Sequence, residues 1–554
     1  MSIFSKIKVP KIKSSVFNLS QERKIDCNFG ELIPILCQEV LPHDKFKVST
    51  ELLIKLVPLK SPMMHRVQAT VHYFFVPTFQ INSVFEKFIN PKVNTDNSIV
   101  LPYLTPAYLN NYGKVSGRTD LLYSLCDYLG LPILNSGWLS LDNTSTLKSK
   151  YVNIDPFRAY QHIYNSFYRD ENCERLEDAV GTTTSLFLVG NFLSSTGYFQ
   201  QITNQVKNLL KLRTRAWAKD YFTSALPSPQ AGDDVLIPMT GLVQPDGQLK
   251  FGTTSEYAIP SEQSPVFDGT SVGGTGAMTV VDAEDTDVSL TYGSGLKVVN
   301  ASSSINDLRR AMALQKFKEL AERGGTRYSE MVRNFFGAFL KDYWIDRPIY
   351  LGGQVQNVNV GEVVQTSATD TVTVSGASAT SYLGERGGIA HSYGRTKTVS
   401  LNAPCHGYLF GILSLRPQAT YQQGLERMWT RSSIFDWAFP QFARMGEQEI
   451  WNYEIFAQGT SDDDGVFGYT PRYAEYKTGH TEICGSFRNS LGYWHLGRIF
   501  DSLPTLSKSF VMMDSPSYAA FNVTSSSTRH VIVDLYNKIV ARRALPYFGT
   551  PSSI

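Results

Sequence analysis

The sequence predicts a mainly β protein built from antiparallel strands that lie far apart in the chain, with long loop insertions and a few helices. Two segments, "FKVSTELLIKLV" (46–57) and "RVQATVHYFFVP" (66–77), alternate apolar and polar residues with period two. A third of the same character, "RHVIVDLYNKIVARR" (529–543), lies near the other end of the 554 residues. The composition agrees: Phe (32), Tyr (29), Gly (41) and Pro (26) favour strands and turns over helical bundles.

Each element follows from its pattern. In 46–57, Phe46, Val48, Thr50, Leu52, Ile54 and Leu56 share one face, with Lys47, Ser49, Glu51 and Lys55 opposite. In 66–77, Val67, Ala69, Val71, Tyr73 and Phe75 face one way and Gln68, Thr70 and His72 the other. The intervening "PLKSPMMH" carries two prolines, so the strands join through a long corner. "GYLFGILSLRP" (407–417) is apolar nearly throughout and predicts a strand covered on both faces. The last strand alternates through Val531, Val533, Leu535 and Ile539, and its likeness to the early strands predicts one sheet system closed by the two ends of the chain. Helices are predicted at 304–325, where Ser304 and Asp307 resemble a capping box and Gly324 and Gly325 supply the stop. Two more are predicted at "RYSEMVRNFFGAFL" and over 190–222. Segments 228–304 and 361–388, rich in Gly, Ser, Thr and Val, predict surface excursions with short β-ribbons.

The formal net charge of +2 conceals a division along the chain. Residues 1–24 hold Lys6, Lys8, Lys11, Lys13, Arg23 and Lys24 against Glu22 alone, whereas 228–304 carries ten Asp/Glu against Lys250 and Lys297. With Pro10 preventing a helix, "KIKVPKIK" predicts an extended basic arm suited to nucleic-acid phosphates, or an ordinary solvated terminus. The basic N-terminus is followed by no apolar run of signal-peptide length, and nothing approaches a membrane span, so a soluble protein made in a cytoplasm is expected. Six scattered cysteines without ligand spacing predict buried free thiols.

No motif carries catalysis. "GTSVGGTGAM" (269–278) has the glycines of a phosphate loop but lacks the following Lys and helix, and Asp282, Glu284, Asp285 and Asp287 would repel phosphate. "SDDDGVFGY" lacks the full calcium loop and its terminal Glu, so a solvated turn or an inter-subunit salt-bridge site is expected. H-E-x-x-H and G-x-S-x-G do not occur, and His72 reads as a hydrogen-bonded structural histidine. Glu447, Glu449 and Glu454 could form a glycosidase pair only at a separation the sequence does not show. No catalytic, cofactor or metal residues are predicted. Trp429, Arg431, Phe435 and Trp437 are of the types that anchor large interfaces, or equally that fill a core.

Long blocks carry a more specific signal. "FNLSQERKIDCNFGELIPILCQEVLPHDKFKV", "PMMHRVQATVHYFFVP", "FTSALPSPQ", "INDLRRAMALQKFKELAERGGTRYSEMVRNFFG", "RPIYLGG", "TYQQGLERMWTR", "DDDGVFGYTPRYAEYK", "LPTLSKSF" and "LPYFGTP" occur in this order nearly end to end. Together they resemble the major capsid protein of the Microviridae, small icosahedral single-stranded DNA bacteriophages, and specifically its gokushovirus branch.

The resemblance implies an eight-stranded antiparallel jelly roll, a viral capsid β-barrel. It implies a structural subunit, not an enzyme, that forms a T=1 icosahedral shell around circular single-stranded DNA in the virion, assembled in the bacterial cytoplasm. The implied partners are further copies of the chain, an internal scaffolding protein, pilot and small DNA-binding proteins, the genome and a host-cell receptor. It divides the chain into a basic arm (1–25), a first part of the jelly roll (26–227), an acidic insertion forming a threefold protrusion (228–304) and the remaining strands (305–554). Lys6, Lys8, Lys11 and Lys13 become DNA-contact candidates. Gly269, Thr270, Gly273, Gly274, Thr275 and Gly276 become host-attachment candidates on the protrusion. The alternative is a carbohydrate-binding or carbohydrate-cleaving β-sandwich, given the aromatics and loop acids.

Overall fold

The computed structural model describes residues 14–90, 101–174 except 143, 206–232, the strands within 240–302 and most of 305–548. The chain divides into two compact units, 230–321 and the remainder. The larger unit is organised by one antiparallel sheet. Its strands are β1 (Ser15–Asn18), β2 (Gln21–Cys27), β3 (Ile33–Val40), β4 (Lys45–Leu56), β5 (Val67–Pro77), β6 (Ile349–Val364), β7 (Arg386–Arg395), β8 (Val399–Asn402), β9 (Gly407–Pro417) and β10 (Val531–Arg543). The path runs β1-β10-β4-β7-β6-β5-β9-β3, with β2 also on β10 and β8 also on β4. Every pairing is antiparallel.

This is the eight-position, jelly-roll-like order expected, curled into a half-barrel, and its closure by the chain ends is direct. β10 pairs with β4 from Val531↔Leu56 to Arg542↔Lys45, and with β1 and β2 on its other side. Curling brings the path's far end, β3, back towards β2 and β10. The Ile35 carbonyl accepts from Asn537 Nδ2 at 3.0 Å, the Pro34 carbonyl from Arg23 at 3.2 Å and the Glu39 carbonyl from Arg543 at 2.6 Å. Side chains thus satisfy edge carbonyls that would otherwise template foreign strands.

Strand parity explains where the core sits. Phe46, Val48, Leu52 and Ile54 of β4 meet Ala69, Val71, Tyr73 and Phe75 of β5 and Leu409, Leu413 and Leu415 of β9 inside the curl. The opposite residues, Phe74 and Val76 of β5 with Tyr408, Phe410 and Ile412 of β9, form a second core. That core packs under helix α1 (Asp155–Ile163) through Phe157, Tyr160 and Ile163. β9 therefore lacks alternation because both its faces are covered. Ser49, expected on the outer face of β4, is buried and accepts from Arg395 at 3.3 Å.

α1 was not predicted; two helices that were, α2 (Ile305–Gly324) and α3 (Tyr328–Phe336), form. The helix expected over 190–222 does not extend as predicted: 206–210 is helical, but 211–222 is extended and turned. The backbone there is claimed by tertiary partners. Leu32 N donates to the Arg213 carbonyl (2.9 Å), Arg215 N to the Gly30 carbonyl (2.7 Å) and Trp217 N to the Val511 carbonyl (3.0 Å). Helix propensity is worth only tenths of a kcal/mol per residue, and these pairings override it. Residues 190–205 and Ser304 lie outside the described residues.

The smaller unit holds short antiparallel ribbons. Thr240–Pro245 pairs with Leu296–Ser302, and Lys250–Gly252, Glu256–Tyr257, Thr279–Val281 and Asp287–Thr291 make a four-stranded sheet. In the larger unit, a hairpin of Thr369–Val374 with Ala377–Ser381 lies between β6 and β7.

Candidate subunit interface

The four residues singled out as interface anchors fall on one non-periodic stretch, 425–445, and the structure separates their roles. The stretch leaves the sheet beyond β9, where Leu425 N donates to the Tyr453 carbonyl (2.8 Å) and Ala457 N to the Gln423 carbonyl (3.0 Å). Gly424 permits this approach: a Cβ there would lie 1.9 Å from the Glu454 carbonyl oxygen. Two 3-10 turns follow, Arg427–Trp429 and Ile434–Asp436. The second is capped by Asp436, whose carboxylate accepts from Ser432 N (3.1 Å) and Ser433 N (2.8 Å). These bonds fix the backbone of the turn while the large side chains of the stretch stay exposed.

Trp429 is 71% exposed, Trp437 54% and Phe435 48%, so in the isolated chain none fills a core. Met428, Ile434, Phe439, Met445 and Tyr476 are exposed beside them in sequence or contact. Phe442 ties the ribbon together, with ring centroids 4.9 Å from Phe435 and 5.9 Å from Phe439. Arg431 is the support. Its guanidinium lies 4.4 Å from the Tyr476 ring centroid and 5.3 Å from that of Trp437, with Glu475 3.8 Å away. Sequence reasoning missed Met428, Ile434, Phe439 and Met445. Their signal was a run of apolar residues with neither helical nor strand period.

Beneath the ribbon, Glu454 is buried and accepts from Tyr221 OH (2.9 Å) and Trp451 N (3.0 Å), with Arg427 at 3.5 Å. Burial raises its pKa, the backbone donor and Arg427 opposing. Glu447 pairs with Arg323 instead. The acidic triplet is a solvated turn: Asp463 accepts from the N–H groups of Gln458 (3.0 Å) and Gly459 (2.7 Å). His72 makes the kind of hydrogen bond expected of it, to Tyr168 OH at 2.7 Å. The six cysteines are unpaired; Cys27 and Cys126 are buried, but Cys484 is exposed, against expectation, because it sits on a surface turn. Among the described residues no group of His, Cys, Asp and Glu could hold a metal ion, and no helix is long and apolar enough to cross a membrane. Lys6, Lys8, Lys11 and Lys13, and Gly269, Thr270, Gly273, Gly274, Thr275 and Gly276, lie outside the described residues.

A half-barrel of capsid-like strand order bearing an exposed aromatic ribbon calls for relatives that assemble. The family model described as capsid protein (F protein) matches residues 5–553. The chain belongs to this family. It is similar to the capsid protein VP1 of Chlamydia phage 1, 31% identical over 99% of this chain and 97% of the relative. It is equally similar to that of Bdellovibrio phage phiMH2K, at 31% with the same coverage, and 28% identical to that of Spiroplasma virus 4. The chain is a structural capsid subunit of the single-stranded DNA phage type, a virion component, as the sequence blocks implied. The family assignment decides against the carbohydrate-acting alternative. The exposed ribbon is rich in the residue types, aromatics, Met and Arg, that are enriched where subunits meet, and a lone soluble chain rarely exposes so many together.

Proposed function

We propose that the subunit assembles in the bacterial cytoplasm into a closed T=1 icosahedral shell around circular single-stranded DNA, with a scaffolding protein guiding assembly. The exposed ribbon of Trp429, Phe435 and Trp437, braced by Arg431, is the observation that carries this reading, and it supplies one contact between neighbouring subunits. Residues 1–25, with Lys6, Lys8, Lys11 and Lys13, contact the packaged DNA without reading its sequence. The insertion 228–304 forms a threefold protrusion that meets the host receptor, and Gly269, Thr270, Gly273, Gly274, Thr275 and Gly276 lie on its crown. Pilot and small DNA-binding proteins complete the particle.

The test is electron microscopy of the chain expressed with its scaffolding partner, beside the double variant Trp429→Ser, Phe435→Asp. Uniform particles are expected from the parent chain, and soluble subunits of unchanged thermal midpoint from the variant. Particles from both would remove the ribbon from the interface; a parent chain that stays monomeric under all assembly conditions would overturn the shell itself.

A further inference from the structure

A cavity of about 380 Å³ lies beside β5 on the side carrying His72 and Phe74, in the size range of about 300–1,000 Å³ usual for small-molecule sites. Four further parts of the chain complete its wall. α1 widens into a π turn, Tyr164–Tyr168, that brings Phe167 and Tyr168 to the cavity, and such turns recur at functional sites. The extended segment after Arg213 brings Arg215, the start of β6 brings Tyr350, and the end of β9 brings Arg416.

Among the described residues the charges in this cavity do not balance. Arg215 donates to Ser414 Oγ at 2.8 Å and lies 5.7 Å from the Tyr168 ring centroid. Arg416 reaches the Ala216 carbonyl at 3.4 Å, and its Nε is buried with no acceptor. Neither guanidinium has a carboxylate partner among the described residues. The acid in the wall, Asp170, is taken by Lys219 and by the N–H groups of Asn172 and Cys173. Burial, and then the Arg215 charge, brings Arg416 down to about 10; burial and both arginines bring His72 down to about 4. His72 is therefore neutral near pH 7. Its Nδ1 shares a hydrogen bond with Tyr168 OH at 2.7 Å; in the tautomer in which Tyr168 donates, Nε2 carries the proton and is a donor. Gathering like charges in a half-buried site without a counter-ion is unfavourable, and a bound anion reverses the sign of that term.

The aromatic wall narrows the class of anion. Tyr350 is 44% exposed, with its ring 5.5 Å from Phe74 and 5.7 Å from His72. Guanidinium forks match phosphate oxygens, and an exposed ring accepts a stacked base without selecting its identity. We propose that this cavity is a nucleotide site, with the phosphate held by Arg215, Arg416 and His72 Nε2 and the base stacked on Tyr350. The same chemistry serves a free nucleotide or one unit of a single strand. It does not depend on the shell geometry proposed above.

The full-length subunit is photo-crosslinked to 5-iodo-dUMP and to oligothymidylate carrying a 5-iodouracil, with the modified peptides mapped and inorganic phosphate as competitor. Cross-links on Tyr350 or Phe167 are expected. Arg215→Gln with Arg416→Gln should weaken either probe at least about tenfold, the loss of two charge-assisted hydrogen bonds. If that pair does not fold, Arg416→Gln alone and Tyr350→Leu carry the test. Tyr350→Leu should abolish the cross-link while leaving the binding of inorganic phosphate, read by equilibrium dialysis, in place. Much tighter binding of the oligonucleotide assigns the site to a strand, and equal binding assigns it to free nucleotide; both support the chemistry. Cross-links elsewhere, no binding by either probe, or phosphate competing as well as 5-iodo-dUMP would overturn it. In each of those cases particle formation by the same preparation would leave the shell reading standing.

Discussion

Asn537 is the polar residue in the middle of β10, fully buried among apolar neighbours, and replacing it with Leu is the sharpest test of how the half-barrel is fixed. Its Nδ2 donates to the Ile35 carbonyl at 3.0 Å, which leaves Oδ1 as an acceptor for Thr50 Oγ1 at 2.7 Å. Thr50 spends its proton there, so its 2.6 Å contact with Tyr73 OH must be donated by Tyr73. Tyr73 oxygen in turn accepts from Thr396 Oγ1 at 3.0 Å, and Thr396 accepts from Thr50 N at 2.8 Å. The protons run one way through β4, β5 and β10 and end on β3. Asn537→Leu leaves the Thr50 hydroxyl proton without its acceptor and the Ile35 carbonyl without this donor; Thr50→Val leaves Asn537 Oδ1 without its donor and the Tyr73 hydroxyl proton without its acceptor. At about 1–2 kcal/mol per orphaned buried group, each single variant costs about 2–4 kcal/mol. In the double variant only the Ile35 carbonyl and Tyr73 OH are orphaned. Its cost should be about half the sum of the singles, a coupling near 2 kcal/mol or more by the same count. Urea unfolding of the unassembled subunit, followed by tryptophan fluorescence, measures all four corners. Additivity within about 0.5 kcal/mol would refute the directed chain.

Three further outcomes are expected. Arg529→Met strips the cation from Glu31, whose carboxylate burial already raises in pKa and which also accepts from Asn28 N; about 3–5 kcal/mol should be lost in urea unfolding, and Glu31→Gln in that background should recover part of it. His65, hydrogen-bonded to the Gln418 carbonyl at 2.8 Å, is brought by burial to about 4 from 6.5, as is His72. Because the folded pKa is depressed, the unfolded chain takes the proton first: their contribution is full above about pH 6.5 and is lost as pH falls towards 4, so His65→Gln should make the decline of unfolding free energy over that window shallower. Gly424→Ala should cost about 1–3 kcal/mol, read as a lowered thermal midpoint, because the added carbon meets the Glu454 carbonyl.

The sequence was most legible where one local rule acted alone. Alternation placed β4, β5 and β10 and named their inner faces correctly through Phe46, Val71 and Val533. Continuous apolarity marked β9 as doubly covered. The ribbon was half legible: Trp429 and Trp437 stood out by type, yet type alone does not tell a core aromatic from an exposed one. Arg431 stood out by type too, but its contact with Tyr476, forty-five positions away, was not legible in the sequence.

By itself, the sequence determined the strands that bury one face, the kinship that makes the chain a capsid subunit, and the charge division between its basic end and its acidic insertion. These depend on residue type and near spacing, which the chain carries locally. Tertiary structure alone decided that 211–222 gives up helix for pairing with Gly30, Leu32 and Val511, that Asn537 and Thr50 share one proton chain, and that His72, Arg215 and Arg416 converge, the two arginines without a carboxylate partner among the described residues. Each of these joins groups hundreds of positions apart or opposes a local preference. Their energies exist only once the curl of the sheet has brought the partners within hydrogen-bonding or Coulombic reach.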